Sequence, residues 1–464
     1  MNLENYDAFT WSICLLFASA LRIRKGDYID FALLLLHLAL TWIYNNVNIR
    51  KSFRHGAGTG IVCGFLAVPA ALGSLEASTF HISLIISLIF DLLFLLNHTG
   101  IPTLDYRFTP LVPITATLLI TKLYNISIWI PLLSVFMGIF VLSILMKFSP
   151  NSFTIGESVM VSTLSSLPIQ AIFKAVGVPR FSALYITFGI ICVTLSLAIR
   201  KPFVIFIILI PMLVGLLDIV EVFYYLLNIK RILLVAACGL IVLVFMIISV
   251  YWKGLQQFPQ IIQRKFFHLM ALLVFVPPVL VDYEFLRLCI SGAIFVFLIV
   301  ESLRLVKFPV ISKYIQNYVQ DFIDERDGGE LILTHLFLLL GLGLPVLIAR
   351  DDIPGGLTVH TCGISVLAVG DAAASIIGVN FGKHKWPGSK KSIEGTIGAF
   401  FGTFLSLFVI HQFKEIDFSL ELLFCLIVPS LFGAFDEAFT SQIDNLTLPF
   451  VMIPPILCSC ALFL

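Results

Sequence analysis

Apolar runs broken by short polar connections follow one another along this chain, at about residues 8–24, 29–45, 57–75, 79–97, 109–124, 127–147, 158–176, 181–199, 202–226, 231–252, 266–282, 285–303, 331–349, 359–379, 395–413, 419–435 and 446–464. A straight helix needs about 20 apolar residues to cross a bilayer, and several of these runs are shorter. Only helices and closed barrels satisfy every backbone group in lipid, and runs of this length suit helices. The pattern predicts an all-α polytopic membrane protein with about 13–17 transmembrane helices.

Composition agrees with that class. Of 464 residues, 59% are hydrophobic and 12% charged, against about 25% charged in a soluble domain. The mean hydropathy is +1.03. A net charge of +1, with the basic residues scattered among connections, argues against a nucleic-acid partner. Glu4 and Asp7 precede the first apolar run while Arg22, Arg24 and Lys25 follow it, the reverse of a cleavable signal peptide. The first segment is therefore expected to remain a span. The nine cysteines are scattered; Cys458 and Cys460 form the one close pair, without nearby histidines, and read as structural thiols.

Alternating the spans from Phe266 onward puts eleven basic residues on one face: Lys253, Arg264, Lys265, Arg304, Lys307, Lys313, Arg326, Lys383, Lys385, Lys390 and Lys391. Three, Arg287, Arg350 and Lys414, fall on the other. The positive-inside rule makes the first face cytoplasmic. In the N-terminal half, Gly56, Gly58, Gly60 and Gly64 form a small-residue row suited to close helix packing. Asp91, Asp218 and Glu221 lie in or near apolar runs, where acids either mark function or pair with a neighbouring helix.

The most informative polar stretch is Gly370 to Thr396, GDAAASIIGVNFGKHKWPGSKKSIEGT. Lys383, Lys385, Lys390 and Lys391 supply charge, Gly382 and Gly388 permit close backbone approach, and Pro387-Gly388 marks a turn. A helix predicted from about Ile393 would aim its free N–H groups back at this loop, so an anion there would meet fixed and mobile donors together. Asp371 and Glu394 are carboxylates for a divalent cation bridging that anion. The competing reading is a cytoplasmic loop that is basic only because such loops usually are. The glycines, Trp386, Pro387 and flanking acids favour a phosphate or nucleotide site.

Other polar groups collect on the same expected face. Arg264, Lys265 and His268 share a helix face at the start of a span, as a topology anchor with a packed histidine or as a phosphate and proton site. Glu301 and Arg304, three apart, read as a local ion pair. The segment beyond, with Tyr314, Ile315, Tyr318, Val319 and Phe322 at helical spacing, is expected to lie along the membrane surface. Asp324, Glu325, Asp327 and Glu330, with Arg326 among them, suit a metal site or a solvated turn. Glu437, Gln442, Asp444 and Asn445 form a short polar connection, with Asp444 a metal ligand or general base.

The runs GDAAAS and WPGSKKSIEGT resemble the nucleotide loop of the dolichol kinase family, membrane enzymes that phosphorylate a long polyisoprenoid alcohol with CTP. RKFFH (264–268), DERDGGELILTHLFLLLG (324–341) and EAFTSQIDNLTLP (437–449) are similar to further blocks of that family, in the same order over roughly the last 200 residues. The family usually has Thr after Gly-Asp where this chain has Ala372; Ser389 and Ser392 replace threonines and keep the hydroxyls.

The resemblance implies a catalytic region at 253–464 with its nucleotide loop at 370–396, behind an N-terminal multi-spanning region at 1–252 of unassigned role. It implies γ-phosphoryl transfer from CTP to dolichol, giving dolichyl phosphate for protein glycosylation, at the cytoplasmic face of the endoplasmic reticulum membrane. Lys390, Lys391 and the helix end after Ser392 would clamp phosphates, with Lys383 and Lys385 at the rim and Gly388 and Ser389 in the turn. Asp371, with Glu394 or Asp444, would hold Mg²⁺, and Asp444 or His268 would take the alcohol proton. Trp386 would stack on the base or anchor at the interface. A CTP-dependent cytidylyltransferase making a CDP-lipid, which attacks the α-phosphorus, and a transporter are the alternatives. Concentration of polar residues at one face argues against the transporter.

Overall fold

A computed structural model of the chain describes residues 3–45, 60–75, 80–89 apart from 82, 117–118, 121, 127–149, 151–174, 178–204, 216–255, 260–320, 329–349, 353–414, 416 and 419–463. Among these residues the protein is helical, and its extended structure is a single antiparallel bridge pairing Lys385 with Ser392. Eight described helices are long and apolar enough to cross a bilayer: Trp129–Phe148, Pro179–Ile199, Ile229–Ile248, Tyr283–Leu305, Gly356–Phe381, Ile393–Phe413, Leu420–Phe439 and Asp444–Leu462. Four shorter apolar helices accompany them, Tyr28–Trp42, Ile61–Ser74, His268–Val281 and Thr334–Ile348. The chain is thus an all-α polytopic membrane protein.

The chain forms two compact units. The first joins 1–6, 220–290 and 337–464; the second joins 7–219 and 291–336.

In the first unit, helices Asp371–Phe381 and Ile393–Phe413 pack side by side, and Ile393–Phe413 packs in turn on Leu420–Phe439, which packs on Asp444–Phe463. Each start has a local cause. Ser392 and Ser419 are extended residues whose hydroxyls accept from the N–H groups of Gly395 and Leu422, three residues on, at 3.1 Å, so each caps a free helical donor. Arg287 closes the opposite end of Thr334–Ile348 by donating to the carbonyls of Val346 and Ala349, where positive charge also meets the negative helix end.

In the second unit, helix Ile155–Lys174 begins with a reciprocal box: Thr154 Oγ1 accepts from the Glu157 N–H and Glu157 Oε2 accepts from the Thr154 N–H. Gly60 and Gly64 lie directly against Gly156, and a Cβ on Gly64 or Gly156 would fall within 2.2 Å of backbone carbonyl oxygen. That is the close packing expected of the glycine row; Gly56 and Gly58 lie outside the described residues, as does Asp91, and Glu221 is exposed. The side chain of Asp218 is also outside them. After Tyr283–Leu305 the chain turns through positive φ at Lys307 and Val310 into helix Ile311–Gln320, which leaves Ile311 and Tyr314 exposed.

Candidate active site

Residues 382–392, between two apolar helices, form a small hairpin, and its sequence dictates the shape. Pro387 fixes the first corner of a turn from Trp386 to Ser389, and Gly388 supplies φ +77° at the second, with the Ser389 N–H donating to the Trp386 carbonyl at 3.1 Å. These are the residues a type II turn demands. Space is not the reason for Gly388, because a Cβ there would meet nothing within 4 Å. The Trp386 N–H donates to the Lys391 carbonyl and the Ile393 N–H to the His384 carbonyl, closing the hairpin. The Trp386 ring packs on Phe435 and Phe439, and its Nε1–H donates to Thr396 Oγ1 at 2.8 Å. Trp386 therefore fastens the hairpin to the helices, a role that neither base stacking nor interface anchoring described.

The hairpin sorts its lysines. Lys383, Lys385 and Lys390 are exposed, and so is His384, whose ring and N–H both meet the Glu394 carboxylate, the ring at 2.6 Å. Lys391 turns the other way: its ammonium group meets Glu437 Oε1 at 2.5 Å and also donates to the Glu437 carbonyl. Ser389 Oγ donates to the next carbonyl, Ala438. Burial alone would lower the Lys391 pKa, but the charges of Glu437 and Asp444 outweigh it and hold the group above the usual lysine range. Ser392 is buried and occupied as the helix cap.

Beneath the hairpin lies a second polar group. Gly356–Phe381 runs as an α-helical turn, then a wider π-helical segment at Ile364–Gly370, then the α-helix that Asp371 opens. Ten residues separate Asp371 from Phe381, roughly 15 Å of helix. Asp371 is buried there; the Lys265 ammonium donates to its Oδ2, and His268 Nδ1 lies 3.5 Å from the same oxygen. His268 is buried too, with Nδ1 2.7 Å from the Leu367 carbonyl oxygen. Asp444, in the first turn of Asp444–Phe463, acts electrostatically on Asp371, His268, Lys391 and Glu437 alike. Helix starts at Gln260, Ile393 and Asp444 and a helix end at Phe439 thus bring Lys265, His268, Asp371, Lys391, Glu437 and Asp444 together.

Asp371 and Glu394, the expected cation pair, have separate partners, Lys265 and His384, and no contact joins them. Among the described residues no three His, Cys, Asp or Glu side chains form a metal-sized group. Gln442 and Asn445 are buried beside the cluster's connection, Gln442 donating to Ser441 Oγ and the Asn445 N–H to Asp444 Oδ1. Glu301 and Arg304 belong to the second unit and form the expected ion pair, with bonds of 2.6 and 2.8 Å. They also hold the chain that follows, Glu301 accepting from the Ile332 N–H and Arg304 donating to the Glu330 carbonyl, while Ser152 accepts from the Leu331 N–H. Asp324, Arg326 and the Arg264 side chain lie outside the described residues. Sequence reasoning missed Thr396, Ser152 and the π-helical segment. Nothing in local propensity separates ISVLAVG from an ordinary buried helix.

Comparison with known proteins places relatives beside this geometry. Over 200 residues the chain is 34% identical to the human protein named dolichol kinase, covering 41% of this chain and 37% of that one. It is 34% identical over 195 residues to the dolichol kinase of Schizosaccharomyces pombe, covering 41% and 38%, and 31% over 195 residues to that of Arabidopsis thaliana, covering 41% and 34%. The matched part therefore spans little more than a third of these curated relatives. No protein-family model matches the chain, and no solved structure does.

Proposed function

We propose, on the premise that this chain is a relative of the dolichol kinases, that it transfers the γ-phosphoryl group of CTP to the hydroxyl of dolichol. The product, dolichyl phosphate, serves protein glycosylation, and the setting is the endoplasmic reticulum membrane with the hairpin on the cytoplasmic side. What supports the reading is the convergence of two lysines, a histidine and three carboxylates beneath a basic hairpin, on helices otherwise apolar.

Phosphoryl transfer asks a protein chiefly for alignment and charge neutralisation. Lys391, held inward, grips the phosphates, while Lys383, Lys385 and Lys390 draw the polyanion to the hairpin from solvent. Lys265 neutralises charge deeper in the site. Mg²⁺ would ask this chain for only one or two carboxylates, its shell being completed by phosphate oxygens and water. Asp371 and Asp444 would hold it, being electrostatic neighbours. A bound Mg²⁺ neutralises charge developing on the transferred group. An acid about three turns into a span suits an acceptor whose hydroxyl must be met while its hydrocarbon stays in lipid.

The purified protein in liposomes, given polyisoprenoid alcohol and CTP labelled at either the γ or the α phosphate, tests this. Label from the γ position on lipid is expected. Label from the α position would make the chain a cytidylyltransferase, and no labelled lipid with either would remove the enzymatic reading.

A further inference from the structure

The π-helical segment Ile364–Gly370 stands immediately before Asp371 and changes which carbonyl receives the Asp371 N–H. In an α-helix that donor would bond to Leu367, four residues back; here it bonds to Val366, five back. The Leu367 carbonyl loses that helical donor, and His268 Nδ1 takes the place at 2.7 Å. A carbonyl oxygen can only accept, so the proton of a neutral His268 must sit on Nδ1. Asp371 Oδ2, 3.5 Å from the same nitrogen, favours a proton there as well. His268 is 4% exposed, and its ring bonds through Nδ1, leaving Nε2 on the far side of the ring.

Resting on the kinase reading above, we infer that the π-helical segment is a tautomer lock. By opening the Leu367 carbonyl to His268 Nδ1–H, it leaves Nε2 as a fixed hydrogen-bond acceptor that holds the hydroxyl of the incoming lipid alcohol beside Asp371. A primary alcohol needs an acceptor to orient its O–H and aim its lone pair at phosphorus. The nearby ammonium groups of Lys265 and Lys391 are donors only. Asp371 is already engaged by Lys265. Among the acceptors in the cluster, the imidazole nitrogen is the neutral one, fixed in position by its own ring.

Two variants separate this from simple packing. In His268→Asn the side-chain amide can still donate to Leu367 but reaches no further; in His268→Gln an amide oxygen can reach the Nε2 position while the Leu367 bond is lost. The order expected for phosphorylation is wild type, then Gln, then Asn. His268→Asn should fall by about a hundredfold or more in turnover, with KM for CTP changed less than about threefold. Turnover of His268→Asn equal to or above that of His268→Gln would overturn the inference, because the ring would then act only through Leu367. A second measurement needs neither variant to be active: nitrogen-15 spectra of histidine-labelled wild-type protein, with the His268 signal assigned by difference. A protonated Nδ1 and bare Nε2 are expected, and a proton on Nε2 would overturn the lock even if γ-labelled lipid forms. Failure of the labelling assay with the lock intact would instead remove the kinase reading alone.

Discussion

The outer and inner faces of the hairpin carry the same residue types in different company. Outside, Lys383, Lys385 and Lys390 stand in solvent and His384 pairs with Glu394. Inside, Lys391 is clasped by the side chain and carbonyl of Glu437. Lys390 and Lys391, adjacent in the chain where the hairpin bends, meet water and a buried carboxylate respectively. Exposed charges contribute little singly and act at long range, whereas an enclosed ammonium has a fixed position and few competitors. Concentrating a polyanion and aligning it are thus separable tasks, carried by the two faces of one eleven-residue connection.

The hardest blow to the inner face is Asp371→Asn. It keeps the shape but removes the charge opposite Lys265, and γ-label transfer should fall about a thousandfold or more. Protein that remains folded in detergent with transfer within about tenfold of wild type would mean the site is elsewhere. Lys391→Met comes next, with a loss of about 10²–10³ in turnover if the ammonium stabilises charge in the transition state. It also leaves Glu437 without its partner, and because Lys391 is only half-buried the loss of stability should fall below the ~3–5 kcal/mol of a fully buried pair. The double variant Lys391→Met with Glu437→Leu sharpens the contrast: stability should largely return while activity does not. Recovery of both would reduce the pair to a structural link.

Much of this was legible in the sequence. The apolar periodicity predicted the fold class, Pro387-Gly388 announced a turn, and the apolar pattern from Ile393 announced a helix. Asp371, Lys391, Glu437, Asp444, Lys265 and His268 were all picked out, though not how they pair. Lys390 and Lys391 could not be told apart, because the side of a hairpin a residue faces depends on its register. The pairing of Asp371 with Lys265 instead of Glu394 joins residues 106 apart, and helix packing, not spacing, sets it. Trp386 resisted for a similar reason: its partners Thr396, Phe435 and Phe439 come from two helices. The π-helical segment left no sequence signal, since it arises where neighbouring helices reward a widened turn.

On the outer face the effects should be small. Lys390→Ala removes one solvated charge, and the change in KM for CTP should stay within about fivefold, shrinking as salt is raised. A loss of turnover comparable with Lys391→Met would erase the distinction between the faces. Ser392→Ala tests the joint between them: losing the bond to the Gly395 N–H should cost about 1 kcal/mol in thermal or denaturant unfolding. The full effect should appear in stability before activity.

The smallest expected effect concerns pH, and here the inner lysine should be silent. Burial disfavours its charged form, but Glu437 and Asp444 more than compensate, so its folded pKa is raised. A raised lysine pKa contributes stability that is complete below the unfolded value of about 10.4 and is lost only as pH climbs through the higher folded value. The difference in melting temperature between wild type and Lys391→Met should therefore stay level from about pH 7 to 9, and narrow only above about pH 10.4. Scanning both proteins by thermal unfolding in detergent at each pH measures it. A gap already closing by pH 9 would mean that Lys391 gives up its proton early and that Glu437 does not hold it as the geometry requires.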